Sequence, residues 1–505
     1  MKPLYKEKGF DTNNYLSAQI KAIKQRVDKF DGKLYLEFGG KLCYDMHAAR
    51  VLPGYEPTVK VQLLKKLKDI EIIYCVAAKD IQKGRIRRDF GLTYDNQALK
   101  DIADFKAFGL NVSSVVISRF EGESLAKRLE WKLKTRGIKT FIHFEVKGYP
   151  DNIKKVVSKR GFGSQSYIKT KKPIIIVTGV GGGSGKMSFC LSQMYQDKKQ
   201  GINSGFAKFE TFPVWNLPLN HPVNIAYEAA TADLHDVNMV DPFHKETYGI
   251  TSINYNRDIE NFKIMNELIF FIVGSKNYAS KYMSPTDMGV NMVKAGIIND
   301  KVVRAAAGQE IIRRYLRYYQ ERMEGIETQA TVEWMEKIMK KARVKISDRS
   351  VVMKARIAKK EGKNKGKGFQ GIYCGAALEI NDGRIITGKN SFLLHSESAA
   401  ILNAIKVLAR IPDKIDLLSG QVIQKIISFK KEFLASQSGS LNLEETLIAL
   451  SISAASDPVA EKALNKLDQL KDCDMHLTYM PSFANETALR KLGINFTTDA
   501  ELVYG

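Results

Sequence analysis

Residues 179–188 read G-V-G-G-G-S-G-K-M-S, and they carry the clearest chemical signal in this 505-residue chain. Glycines let main-chain N–H groups converge on phosphate oxygens, Lys186 adds a point charge, and a nearby hydroxyl can help hold Mg²⁺. The stretch follows the apolar run "PIIIVT" and precedes "KMSFCLSQMYQ", which reads as a helix with an anion-favouring N-terminus. The spelling departs from a standard phosphate loop at two places. Val180 stands where the first glycine belongs, and Met187 follows the lysine, leaving Ser188 one position late. The dinucleotide spacing G-x-G-x-x-G also fails, because its third glycine falls on Ser184. The expectation is a phosphate or nucleotide site built from Gly181, Gly182, Gly183, Ser184, Gly185, Lys186 and Ser188. The alternative is a tight turn that uses glycine for helix–strand packing.

Bound phosphates with Mg²⁺ need an acidic partner. The stretch 220–244 offers His221, Asp233, His235, Asp236, Asp241 and His244. "VNMVD" ends an apolar run on an acid, so Asp236 or Asp241 is expected to assist Mg²⁺, with His235 and His244 as further metal or catalytic candidates. Their spacing matches no zinc pattern, and a loop of helix caps and hydrogen-bonded histidines would use the same residues. Arg85, Arg87, Arg88 and Arg119 are candidate additional anion contacts.

A second signal lies near the C-terminus. In "LLHSESAAILNAI", His395 and Glu397 head a helix behind a hairpin. This resembles the H-x-E motif of the cytidine-deaminase-like fold, in which the histidine binds Zn²⁺, the glutamate moves protons, and a P-C-x-x-C segment supplies two thiolates. At the matching place here stand Pro481-Ser482-Phe483-Ala484-Asn485. Ser482 and Asn485 are poor zinc ligands. The resemblance therefore implies the fold without zinc chemistry, leaving a zinc-free secondary pocket of His395, Glu397, Ser482 and Asn485. A purely structural role at a helix start is the alternative.

The elements that must position these residues follow from periodicity. Residues 33–200 alternate strand-like apolar runs ("KLYLEF", "IEIIYCVAA", "VSSVVISRF", "KTFIHFEV", "PIIIVTG") with helical patterns. That alternation implies a mostly parallel α/β sheet covered by helices on both faces, with ligands at the strands' carboxyl ends. Helical spacing dominates from about 255 to 345. "GIYCGAALEI-NDG-RIITG" then reads as a hairpin. The expected organisation is an α/β domain over 1–254, a helical subdomain over 255–350 and a C-terminal α/β domain over 351–505 entered through a basic linker.

Net charge is +23, which favours polyanionic partners. The Lys/Arg-rich segment 337–367 holds only Asp348 and Glu361 against its cations. It reads as a solvated linker; a nucleic-acid arm is the weaker alternative, because the segment has few aromatics for base stacking. No apolar run is long enough to cross a bilayer, no signal-peptide pattern opens the chain, and the five cysteines show no C-x-x-C pair. A cytoplasmic, non-membrane protein is expected, with the helical part as a homo-oligomer contact.

The stretches "PIIIVTGVGGGSGKMSFCLSQMY", "GFAKFETFPVWNLPLNHPVN", "DLHDVNMVDPFH", "INYNRDIENF", "SPTDMGVNM" and "MPSFANETALRKLGI" resemble, over nearly the whole chain, an uncharacterised bacterial protein family that shares a domain of unknown function. The resemblance implies an α/β N-terminal part, a helical part and a deaminase-like C-terminal part, and no established activity. Some members carry the label ATP-dependent peptidase, yet this sequence has no H-E-x-x-H and no readable nucleophile–base pair. The residues point to a nucleotide- or phosphometabolite-binding protein, with ATP or another nucleotide and Mg²⁺ as cofactors and phosphoryl transfer or hydrolysis as the reaction. The rival is a non-catalytic ligand-binding or scaffolding protein.

Overall fold

The computed structural model describes residues 3–30, 33–87, 91–274, 282–434 and 439–503. The chain divides into two compact units. One comprises Lys8–Glu228 and His235–Arg304; the other comprises Met1–Glu7, Ala229–Leu234 and Ala305–Gly505.

In the first unit the apolar runs become seven strands: β1 Leu34–Phe38, β2 Ile70–Ala77, β3 Val112–Phe120, β4 Thr140–Phe144, β5 Ile174–Gly179, β6 Gly205–Phe209 and β7 Gly289–Val290. They pair in the order β7-β6-β1-β5-β2-β3-β4, every neighbour parallel. Residues 174–178 of β5 are all buried, as a central strand covered on both faces requires. From β2 the chain steps outward through β3 to β4. It returns to the centre at β5, then passes beyond β1 to β6. The direction of winding thus changes at β5, and its carboxyl end is a topological switch point, where open α/β sheets hold ligands. Amphipathic helices cover the sheet, among them Thr12–Lys29, Val59–Leu67, Tyr94–Ala107, Ser124–Lys134 and Lys186–Lys199. The helical pattern after residue 150 shrinks to Ile153–Val156, because the chain folds back at Gly161, whose added Cβ would lie 2.0 Å from the Val156 carbonyl oxygen.

The second unit contains β8 Gly375–Glu379, β9 Ile385–Lys389, β10 Asp474–Leu477 and β11 Asn495–Thr498. The order is β9-β8-β10-β11; β8 is antiparallel to both neighbours, and β10 runs parallel to β11. Alternate residues of β8 face opposite ways. Ala376 and Leu378 join the main core with Ile401 and Ile405 of helix Ser396–Ala409, whereas Ala377 packs with Val351 and Ala355.

That second contact corrects one expectation. Much of the basic segment is helix Ser350–Asn364, not a linker. Val351, Val352, Ala355, Ala358 and Gly362 form a buried stripe at helical spacing, and the lysines occupy the outer face. The helical stretch 255–350 is also no unit by itself. Helix Asn256–Val273 belongs to the first unit, and most of helix Asp300–Met323 belongs to the second. Among the described residues no helix is long and apolar enough to cross a membrane.

Candidate functional site

The glycine stretch leaves the carboxyl end of β5 and runs directly into helix Lys186–Lys199. Two of its glycines serve packing. A Cβ at Gly179 would lie 2.3 Å from the Cys75 carbonyl oxygen on β2, and one at Gly185 would lie 2.5 Å from Ser118 Oγ on β3. Gly183 and Gly185 have positive φ of 74° and 82°, the left-handed region that favours glycine. Gly182 is different. Its φ is not positive, and nothing lies within 4 Å of a Cβ placed there. The fold makes no demand for glycine at 182.

Among the described residues, the main-chain N–H groups from Gly181 to Ser188 meet no acceptor, and no side chain caps the helix. The turn is held from below instead, where Ser118 Oγ donates to the Ser184 carbonyl at 2.8 Å. Lys186 folds back over the loop, its Nζ donating to the Gly181 carbonyl at 3.2 Å and to Ser184 Oγ at 3.4 Å. Ser188 stands half-buried in the first helical turn. Open donors, a lysine turned over them and a strand-to-helix step have the chemistry to cradle an oxyanion. A cleft beside it is lined by Gly40–Tyr44 after β1, by Tyr74, Asp101, Asp104 and Phe105, and by Thr178 and Gly179.

The sequence reading missed the charged side chains next to this cradle. Glu37 on β1 places Oε1 3.8 Å from Lys186 Nζ. Its Cα partners across the sheet are Val177 on β5 and Lys208 on β6. Lys208 and Glu210 lie two residues apart and so share a face, while Phe209 points the other way and stacks on Phe38 at 4.2 Å. Lys208 pairs with Asp258 and lies 3.8 Å from Glu210; Tyr255 donates its hydroxyl to Glu210 at 3.1 Å. Burial, reinforced by the negative charges of Asp258 and Glu37, pushes the Glu210 carboxyl up to about 8 against the pull of Lys208. Burial pulls Lys208 down, but Asp258 and Glu210 outweigh it and hold the ammonium above its ordinary value. "GFAKFE" carried the signal: two ionisable residues on one face of an otherwise apolar strand.

The acids expected to serve the cradle have other partners. Asp236 is gripped by both ends of the Arg257 guanidinium, at 2.6 and 2.8 Å. Asp241 caps helix Pro242–Tyr248 through the His244 amide and accepts from the Thr286 hydroxyl at 2.7 Å. His244 Nδ1 is bonded to Ser284, and His235 is exposed at φ 54°. His221 bonds Asp300 at 2.9 Å, and Asp233 accepts from Tyr318. Among the described residues no group of three or more His, Cys, Asp or Glu, Asp236, Asp241, His235 and His244 included, is placed to hold a metal ion. Arg119 bonds Glu145, and Arg85 lies over the Tyr94 ring; Arg88 and the side chain of Arg87 lie outside the described residues.

In the second unit His395, Glu397 and Asn485 do meet. Glu397 is wholly buried and accepts from Asn485 Nδ2 and from the Tyr479 hydroxyl, each at 2.6 Å. Asn485 Nδ2 also reaches His395 Nδ1 at 3.2 Å. Ser482 caps helix Phe483–Lys491. The asparagine thus closes the network with hydrogen bonds. All five cysteines are free and buried; burial pushes the thiol of Cys75 up to about 12.

Comparison with known proteins agrees with the whole-chain resemblance. "Domain of unknown function DUF1846, N-terminal" matches residues 8–343, and its C-terminal counterpart matches residues 347–504. A UPF0371 protein of Clostridium tetani is 48% identical over 499 residues, covering 98% of this chain and 97% of the relative. A UPF0371 protein of Clostridioides difficile is 47% identical over 495 residues, covering 98% of each. With nearly the whole length matched, the chain belongs to the DUF1846 family.

Proposed function

We propose that this protein binds the phosphate end of a nucleotide or phosphorylated metabolite at the Gly181–Ser188 cradle, and that phosphoryl transfer or hydrolysis is the chemistry such a site serves. One observation carries the reading: the N–H groups from Gly181 to Ser188 have no acceptor among the described residues, at the switch point of a parallel sheet. Backbone donors at such a point with no partner among the described residues suit an anion. Gly182 supports the same reading, because neither packing nor φ calls for glycine there, whereas a ligand approaching the main chain does.

A thermal-shift and calorimetric screen of inorganic pyrophosphate, ATP and sugar phosphates tests the proposal. Wild type is expected to respond. Lys186→Ala is expected to lose about tenfold or more in affinity, as for one charge-assisted contact. Gly182→Val is expected to fold normally and lose binding, since its side chain fills the ligand's space rather than the protein's. Equal responses from wild type and both variants would reduce the loop to a turn.

For the second unit a non-catalytic reading is favoured. Both oxygens of Glu397 accept hydrogen bonds within the unit and the side chain is wholly buried, so the carboxylate serves the network around it.

A further inference from the structure

We propose that Glu37 is the carboxylate that receives the divalent cation of a metal–polyphosphate ligand, so that the pocket takes the Mg²⁺ complex of a di- or triphosphate in preference to the bare anion. This rests on the cradle reading above and names its missing acid.

Three observations meet at Glu37. The first is position. It is the fourth residue of five-residue β1, paired with Val177 on the strand that feeds the glycine loop, and its Oε1 is 3.8 Å from Lys186 Nζ. The second is an incomplete shell. Glu37 Oε2 is enclosed and has no hydrogen-bond partner among the described residues, while Oε1 has only the distant lysine. A carboxylate oxygen shut away from water without a donor is costly, and a cation or a cation-bound water is what completes it. Mg²⁺ suits such a place because it takes one or two carboxylates plus phosphate oxygens and keeps several waters, needing no cage of protein ligands.

The third is the charge balance. A polyphosphate in the cradle would face Glu37, with Asp258 beyond it. Against them stand Lys186 and Lys208, and Lys208 is already paired with Asp258. A bare polyphosphate would set like charges against each other in a partly buried site, whereas a divalent cation between phosphate and Glu37 converts that repulsion into attraction. Lys186 can then leave the Gly181 carbonyl for the phosphate. Asp236 and Asp241 offer no comparable opening, the first held by Arg257 and the second by its helix cap and Thr286.

The test is calorimetric titration of the full-length protein with inorganic pyrophosphate and with ATP, each in Mg²⁺ and in EDTA. Wild type is expected to bind at least about tenfold tighter with Mg²⁺. Glu37→Gln is expected to remove that metal dependence while leaving metal-free affinity equal or higher. Glu37→Asp, which keeps the charge, is expected to retain part of it, and Asp236→Asn to retain all of it. Metal dependence that survives Glu37→Gln, or that disappears with Asp236→Asn, would overturn the assignment of Glu37 while leaving the cradle intact. Absence of any pyrophosphate or ATP binding by wild type would remove the cradle reading, and the role of Glu37 with it.

Discussion

Glu210 shows how a strand places a side chain in an environment that its residue type alone does not reveal. It is nearly buried, bonded by Tyr255, and faced by Lys208 two residues before it on β6, by Asp258 on helix Asn256–Val273 and by Glu37 on β1. Its carboxyl stays protonated up to about 8 in the folded protein, against about 4.3 in an unfolded chain. Below the unfolded value both states are protonated, and the group does not disturb stability. As pH rises from about 4.3 toward 8 the unfolded chain ionises first, so the folded state loses stability across that window. Glu210→Gln, neutral at every pH, is expected to gain thermal stability relative to wild type between about pH 5 and 8, by an amount on the order of a few degrees. A melting-temperature difference that stays flat with pH would show that Glu210 titrates as an ordinary surface carboxylate.

At the scale of an element, helix Ser350–Asn364 is the instructive case. Its lysines dominate the sequence, but its place is decided by five small or branched residues on one face, where Ala355 is fully buried against Ala377 of β8. Arg356 adds a two-pronged bond to Asp499 at 2.6 and 3.0 Å, and Lys389 on β9 pairs with Glu361 at 2.7 Å. Ala355→Asp, which buries an unpaired charge, is expected to cost about 3 kcal/mol or more in chemical denaturation. Lys360→Gln, on the exposed face, is expected to stay within about 0.5 kcal/mol. Rapid tryptic cleavage within 350–364 of the native protein would restore the linker description.

Over the whole molecule, the division into units does not follow the order of the chain. Residues 3–7 belong with the C-terminal sheet. Tyr5 donates its hydroxyl to the Glu379 carboxylate at 2.7 Å, Lys6 lies 3.4 Å from the same group, and Ser350 donates to it at 2.8 Å. Glu379 is buried at the end of β8, so these partners keep a carboxylate tolerable inside the unit. Tyr5→Phe is expected to destabilise that unit by about 1–2 kcal/mol. Hydrogen exchange resolved by segment checks this: faster exchange is expected in Gly375–Glu379 and Asp474–Leu477, with the glycine loop unchanged. Slowing or no change in those strands would show that the N-terminal segment contributes nothing there.

The local elements were legible because they rest on short-range causes. Apolar runs bounded by helical patterns mark β1 to β5, the Asp-Gly turn marks the β8–β9 hairpin, and the glycines before Lys186 mark the strand-to-helix turn. The basic helix was obscured because charge composition masked a narrow stripe of alanine and valine. "GFAKFE" showed that Lys208 and Glu210 share a face, but nothing local linked Glu37 to Lys186 or to Lys208, since that proximity depends on β6 lying beside β1 and β1 beside β5. The sequence alone therefore determined which segments become strands, helices and a glycine-rich turn. The tertiary structure alone decided which carboxylate faces that turn, because parallel neighbours are joined by long crossovers and local periodicity does not encode the order in which strands pair.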